Sequence, residues 1–400
     1  MKKNKYYGMN VQFNGLCVDF GRVSLNKKKE TLCGDYYTII EREQDHVLVL
    51  SDGLGSGVKA NILSTLTAKM LSTMVSRHLP LEEAVRAVAK TLPICSVRQM
   101  AYSTFTVLDI KDGVANLSQF DNPDAILIRD GKAFDYPFSV IKIDEKEIHQ
   151  SSFALQEEDM LILMSDGVTN AGMGKTTDGG WGRSDVIRFC QNKYRPQMTA
   201  QEMAGDIAAA SVDLNLNETD DDITVVVLRF RKPQKVNLMI GPPRHANEDE
   251  KYLKSFFESE GMHVVCGGTT AKFAARYLGK ELKTIQDSSL NDVPARSRLE
   301  GVELVTEGLL TMERLLEYCE EVSENMLFFN ELHKKKDAAA YLGRMLFETA
   351  TEVRIFYGNA INPDHEKLNI SPEHKEELVE ELAAHLRNAG KKVSIGMWAV

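Results

Sequence analysis

Two apolar patterns run through the first 230 residues, and each predicts a different element. Short, nearly continuous apolar runs of strand length are VLVLSDG (Val47 to Gly53), STFTVLDI, VANLSQF, AILIR, MLILMS and ITVVVLRF (Ile223 to Phe230). Between Val58 and Leu79, Leu63, Leu66, Met70 and Met74 recur at three- and four-residue spacing, which predicts a helix that Pro80 ends. Leu81, Ala84, Val85, Val88 and Leu92 mark a second helix. Lys111-Asp112-Gly113 separates two of the strands, and Asp130-Gly131 separates AILIR from KAFDY; both read as hairpin turns. Helix pairs interleaved with hairpins predict antiparallel sheets covered by helices.

The pattern changes after Phe230. The basic, proline-containing RKPQK reads as a connection, and the chain divides into domains at 1–231 and 232–400. In the second part, VNLMIG, HVVCGG, VELVTEG and VRIFYG alternate with helical stretches near Glu248–Glu260, Thr270–Leu278, Thr311–Glu320 and Pro372–Asn388. Strand–helix alternation predicts an α/β domain with a mainly parallel sheet.

Composition narrows the function classes. With 43% hydrophobic and 26% charged residues, the 400-residue chain has material for full-sized cores. A net charge of −10 gives no electrostatic footprint for nucleic acid or an anionic membrane. No apolar run approaches the roughly 18–20 residues that span a bilayer, and the start lacks a signal-peptide core. The expectation is a cytoplasmic protein with neither membrane nor nucleic acid as partner. Cys17, Cys33, Cys95, Cys190, Cys266 and Cys319 are scattered without a C-x-x-C pair, so reduced thiols are expected rather than a zinc site or disulfides.

Four acidic motifs carry the candidate chemistry: Cys33-Gly34-Asp35, SDGLGSG (Ser51 to Gly57), SDG (Ser165 to Gly167) and DDIT (Asp221 to Thr224). An Asp at a strand end is held by rigid backbone, and the Gly after it lets the chain turn sharply and brings a carbonyl or ligand close. Carboxylates converging at one sheet edge would repel one another unless a hard divalent cation lies between them. No His cluster accompanies them, which favours Mn²⁺ or Mg²⁺ over zinc. Two such ions can share a hydroxide and neutralise phosphate oxygens, and phosphoryl transfer asks mainly for positioning and electrostatics.

The order of these motifs resembles that of the PPM-type metal-dependent protein serine/threonine phosphatases, and SDG-x-G-x-G before a long helix is most similar to the stage II sporulation protein E branch. The resemblance covers about residues 10–230. It implies an α-β-β-α sandwich of two antiparallel sheets flanked by helices, hydrolysis of phosphoserine or phosphothreonine on a partner protein, and two ions. Carried over motif by motif, Asp35, Asp52, Asp166 and Asp221 would be ligands, with Asp52 bridging. Gly53 would coordinate through its carbonyl, and Asp222 would lie outside the ligand set. The partner implied is a phosphoprotein, in this branch often an anti-anti-sigma-type domain; a homodimer is left open. Leu54 stands where eukaryotic members carry a His that serves as general acid. For the phosphate-binding Arg of those members, only Arg22 and Lys59 are candidates, each otherwise a solvated surface charge. In the sporulation branch the helix after SDG acts as a switch; plain core packing is the alternative.

In the second domain, VVCGGTTAKFAARYLGK ends a strand at Gly267-Gly268 and opens a helix near Thr269 or Thr270. Exposed backbone N–H groups at a helix start make Gly267, Gly268, Thr269 and Thr270 a candidate anion site, with a tight turn and a Thr N-cap as the plain reading. A regulatory domain with a small-molecule effector follows. Two alternatives stay open: a non-catalytic phosphoprotein-binding module, and a small-molecule sensor in which the C-terminal domain dominates.

Overall fold

A computed structural model describes residues 15–41, 45–91, 103–144, 146–285, 296–324, 334–360 and 372–398. Leu92 and Cys95 lie outside these residues. Contacts divide the described residues into two units, split between Lys232 and Pro233.

The strands of the first unit are β1 (Cys17–Leu25), β2 (Asp35–Glu41), β3 (Asp45–Asp52), β4 (Phe105–Lys111), β5 (Val114–Phe120), β6 (Ile126–Arg129), β7 (Lys132–Ala133), β8 (Ser139–Ile143), β9 (Lys146–Ala154), β10 (Met160–Met164) and β11 (Ile223–Arg231). They form two antiparallel sheets, ordered β1-β11-β10-β6-β7 and β2-β3-β4-β5-β9-β8. The helices are α1 (Gly57–Ser76), α2 (Leu81–Thr91), α3 (Asp166–Thr169), α4 (Arg183–Lys193) and α5 (Ala200–Leu214). Val47 and Val49 pack with α1 and α2, whereas Leu48 and Leu50, on the opposite face of the same strand, are equally buried. Likewise Val225 and Val227 pack with α4 and α5, while Val226 and Leu228 are buried on the other side. Both sheets are thus covered on two faces, and the layers run helix, sheet, sheet, helix.

The Asp-Gly turns fold as expected. Asp112 and Gly113 have φ of 49° and 77°, and Asp130 and Gly131 have 50° and 74°, the left-handed pair of a type I′ hairpin. KAFDY is corrected: only Lys132–Ala133 pair as a strand, followed by irregular chain. The α1 pattern is also corrected. Leu63 is buried, but Leu66 is 38% exposed and shares an outer stripe with Val58 and Ile62. The inner face is filled instead by Ala60, Ser64, Thr67, Ala68, Leu71 and Ser72, because small side chains let the helix lie close on the sheet.

The second unit is doubly wound. Its seven strands are β12 (Lys235–Ile240), β13 (Met262–Cys266), β14 (Lys283–Thr284), β15 (Ser297–Leu299), β16 (Val302–Thr306), β17 (Glu352–Gly358) and β18 (Lys392–Trp398), ordered β14-β15-β16-β13-β12-β17-β18. All pairings from β16 through β18 are parallel; β14 and β15 add an antiparallel edge. Helices α6 (Asp249–Phe257) and α7 (Gly268–Leu278) cover one face through Met239, Val265 and Phe356. Helix α8 (Leu309–Glu324) and the C-terminal helix Pro372–Asn388 cover the other through Leu238, Val264 and Ile355. No disulfide joins the described cysteines. Among the described residues, no helix is long and apolar enough to cross a membrane.

Candidate metal centre and phosphatase site

Asp35 opens β2 and Asp52 closes β3, and antiparallel register sets them opposite each other. Asp166 opens α3 directly after β10, and Asp221 lies two residues before β11. β10 and β11 are paired neighbours, and their ends are locked by Ser165 N–H to Thr224 O (3.0 Å) and Thr224 N–H to Ser165 Oγ (3.0 Å). The four carboxylates therefore come from the same end of two different sheets, two from each. This corrects the expectation of a single sheet edge. Each sheet contributes one pair of strand ends, and stacking the sheets brings the pairs together.

The groups lie within range of one another's charge. Burial, then the neighbouring Asp35, Asp166, Asp221 and Asp222, push the Asp52 carboxyl up to about 9. Burial also raises Asp35 to about 7 and lifts Asp166 and Asp221 above the ordinary carboxylate range. Asp35 is 4% exposed, and although Ser165 and Thr224 lie close, neither of its Oδ atoms has a partner in hydrogen-bond geometry. A buried carboxylate without a donor calls for a cation. Among the described residues, no three acidic, Cys or His side chains converge on one point as the ligands of a bound ion do. The donor set still fits a hard ion, since it is all carboxylate. The one thiol nearby, Cys33, is pushed by burial up to about 12 and stays protonated.

The glycines act by close approach rather than by sharp turning, which corrects their expected role. Neither Gly53 nor Gly167 has a positive φ. A Cβ on Gly53 would lie 2.0 Å from Ala60 O in α1, and one on Gly167 would lie 2.1 Å from Asp222 O. Gly53 thus seats α1 against the end of β3. Asn61 on the same helix donates Nδ2–H to Cys33 O at 2.8 Å, so α1 touches the chain beside both Asp35 and Asp52.

Asp222 is spoken for. Its Oδ1 accepts from Lys27 N–H and its Oδ2 from Gly34 N–H, both at 2.9 Å, and it is 4% exposed. It ties the β1–β2 loop to the start of β11. Asp222→Ala, leaving one buried and one partly buried donor unpaired, is expected to destabilise the first unit by about 2–4 kcal/mol. An unchanged urea midpoint would contradict this role.

Of the two cations singled out for phosphate, Arg22 is buried on β1 with its guanidinium 5.4 Å from the Tyr37 ring centre, so it is not a solvated surface charge. Lys59 is exposed on α1. The basic group beside the carboxylates is Lys27, with Nζ 3.9 Å from Asp221 Oδ1 and its side chain 37% exposed. In sequence it is one of a lysine run, Lys27-Lys28-Lys29, with nothing to mark it. Leu54 sits at the turn before α1 and offers no proton.

In the second unit, α7 begins at Gly268 with Gly267 as its N-cap (φ 121°), not with a threonine cap. Thr270 is buried, and its Oγ1 accepts from Gly241 N–H at 3.2 Å; Thr269 is exposed. Backbone positive φ suits Gly267, so the side-chain cap is dispensed with.

Residues 42–231 match the family described as stage II sporulation protein E. Asp35 precedes the matched segment. The chain is 25% identical over 222 residues to stage II sporulation protein E of Priestia megaterium, covering 54% of this chain and 36% of that one. It is 23% identical over 221 residues to the Bacillus subtilis protein of the same name, covering 53% and 26%. The match thus spans only about a third of the first relative and a quarter of the second. A solved structure of the PP2C phosphatase domain and a fragment of the regulatory domain of SpoIIE from Bacillus subtilis aligns at 22% identity and a TM-score of 0.46, over 54% of this chain and 62% of that one. The two antiparallel sheets, the order of the acidic motifs and the match over residues 42–231, just under half of the chain, agree in making the first unit similar to the PPM-type phosphatase domain of the stage II sporulation protein E branch.

Proposed function

We propose that the protein is a cytoplasmic Mn²⁺- or Mg²⁺-dependent phosphatase acting on phosphoserine or phosphothreonine of a partner signalling protein. The observation that supports this reading is that four carboxylates from two sheets lie within range of one another's charge, with both oxygens of buried Asp35 lacking a donor. Asp35, Asp52, Asp166 and Asp221 would hold the ions, with the Gly53 carbonyl as a further ligand; Asp222, already accepting two backbone N–H groups, positions the loop instead. Bound, such ions supply positive charge to the phosphoryl oxygens and acidify water. The chain itself contributes rigid placement of the carboxylates and a cation at their rim, which is most of what phosphoryl transfer requires. An aryl phosphate assay with and without Mn²⁺ tests the reading. Metal-dependent turnover is expected, and no turnover at any metal concentration would overturn it.

Lys27 is the group placed to meet a substrate phosphate. It is anchored through its own N–H yet half-free at Nζ, so it can leave Asp221 for a phosphoryl oxygen. Lys27→Ala is expected to raise KM for a phosphopeptide about tenfold, the equivalent of ~1.4 kcal/mol, with a smaller change in kcat. Lys27→Arg should restore most of the affinity. An unchanged KM in Lys27→Ala would remove Lys27 from this role.

A further inference from the structure

The sheet of the second unit has a topological switch point. β12 is the first strand, β13 and β16 lie to one side of it, and β17 and β18 to the other. The chain therefore reverses direction across the sheet between β12 and β17, and their carboxyl ends open the cleft where α/β sheets take ligands.

Among the described residues, these strand ends carry close-packed backbone, the Tyr357 ring and one cation. Gly241 follows β12 with φ 78°, and Gly358 ends β17. A Cβ on Gly358 would lie 2.1 Å from Pro242 O, and one on Gly241 would lie 2.2 Å from Lys375 Nζ. Lys375 comes from the first turn of the C-terminal helix and is 9% exposed. Its ammonium donates to Gly358 O at 2.6 Å, and no ion pair with a carboxylate satisfies it among the described residues. Burial lowers its pKa to about 8, with the neighbouring Cys266 thiol opposing, so it is still protonated at neutral pH. Besides Gly358 O it has the Tyr357 ring, 5.0 Å from Nζ, and among the described residues no carboxylate balances its charge.

A second source of positive potential adjoins it. The Cys266 end of β13 leads into Gly267 and the uncapped start of α7, whose first turn holds no acidic residue. Gly241 N–H, bonded to Thr270 Oγ1, links this helix start to the Lys375 side of the cleft. An anion stands beside this helix start: the exposed Glu307 carboxylate, 3.1 Å from where a Cβ on Gly268 would be.

We propose that this cleft binds a small phosphate-bearing molecule, gripped by the Lys375 ammonium and the first-turn N–H groups of α7, with Glu307 displaced outward. Phosphate suits a site made of glycine backbone, helix-start N–H groups and one ammonium, which together offer several donors at close approach.

The test uses the full chain in EDTA, so that metal-held phosphate in the first unit does not contribute. Inorganic phosphate at about 10 mM is compared with sodium chloride of equal ionic strength, and thermal unfolding is followed. Phosphate is expected to raise Tm by about 2–4 °C. Lys375→Met should abolish the rise. Thr269→Asp, which places a helix-compatible carboxylate at the start of α7, should abolish it too, and serves alone if Lys375→Met does not fold. Glu307→Gln should enlarge it. A wild type that responds no more to phosphate than to chloride would overturn the proposal, as would a full response in either of the first two variants. None of these readings depends on phosphatase activity.

Discussion

Asp52→Asn is expected to abolish metal-dependent turnover while making the metal-free protein more stable. The two effects have one cause. Asp52 faces Asp35 across β2–β3 and lies in the field of Asp166, Asp221 and Asp222, so its ionised form is disfavoured until a cation arrives. On the proposed reading, removing its charge takes away a ligand that phosphoryl transfer needs, with an expected loss of several kcal/mol of charge stabilisation and ~10³-fold or more in kcat. In EDTA the same change removes a carboxyl that must take up a proton, or bear an uncompensated charge, in order to be buried. The pH dependence follows with a definite sign. Asp35 and Asp52 have folded pKa values raised to about 7 and about 9. The folded state then holds more protons than the unfolded one between about pH 4 and those values. Metal-free stability should fall as pH rises through that window, by up to ~1.4 kcal/mol per pH unit for each group. Asp52→Asn should flatten the slope, and Mn²⁺ should reverse it in the wild type. Urea unfolding from pH 5 to 9 in EDTA measures this. A metal-free wild type that gains stability toward pH 8, or an active Asp52→Asn, would contradict the assignment.

Gly53→Ala is expected to be nearly as damaging through packing alone. A methyl there would sit 2.0 Å from Ala60 O and 2.9 Å from Ala60 Cα, which is backbone and has no rotamer to yield. Either α1 lifts from β3 or the end of β3 moves, and Asp52 is at that end. Overpacking of this kind costs about 3 kcal/mol or more, with turnover falling by more than tenfold. Gly179→Ala in the same unit, where a Cβ meets nothing within 4 Å and φ is not positive, is the control and should change neither quantity. Equal unfolding midpoints for Gly53→Ala and wild type would refute the argument. The same contact gives the switch expectation for α1 a physical form. The helix cannot shift along β3 without changing the approach at Gly53, and Asn61 binds it to Cys33 next to Asp35.

Several elements were plain in the chain because their signals are local. α1 and α2 follow apolar spacing, the two type I′ hairpins follow Asp-Gly, and β10 and β11 are apolar runs too dense for anything but a strand covered on both faces. β1, β8, β9 and β18 had no reading, since Gly, Ser, Lys and His interrupt their apolar positions and edge or half-exposed strands tolerate that. Leu66 and Arg22 were misjudged because side-chain environment depends on what packs opposite, which spacing does not encode.

By itself the sequence determined which aspartates stand at strand ends and in what order, and that the chain would form two domains of different sheet type; backbone preference and periodicity act over a few residues and are written there. Only tertiary structure decided that those aspartates come from two sheets rather than one edge, that Lys27 is the cation beside them, and that Gly53 and Gly167 are required by neighbouring carbonyls. It also brought Lys375 to Gly358 in the second unit. These are contacts between residues far apart in the chain, set by how close backbones may approach and how buried charges are met, and no local pattern carries that information.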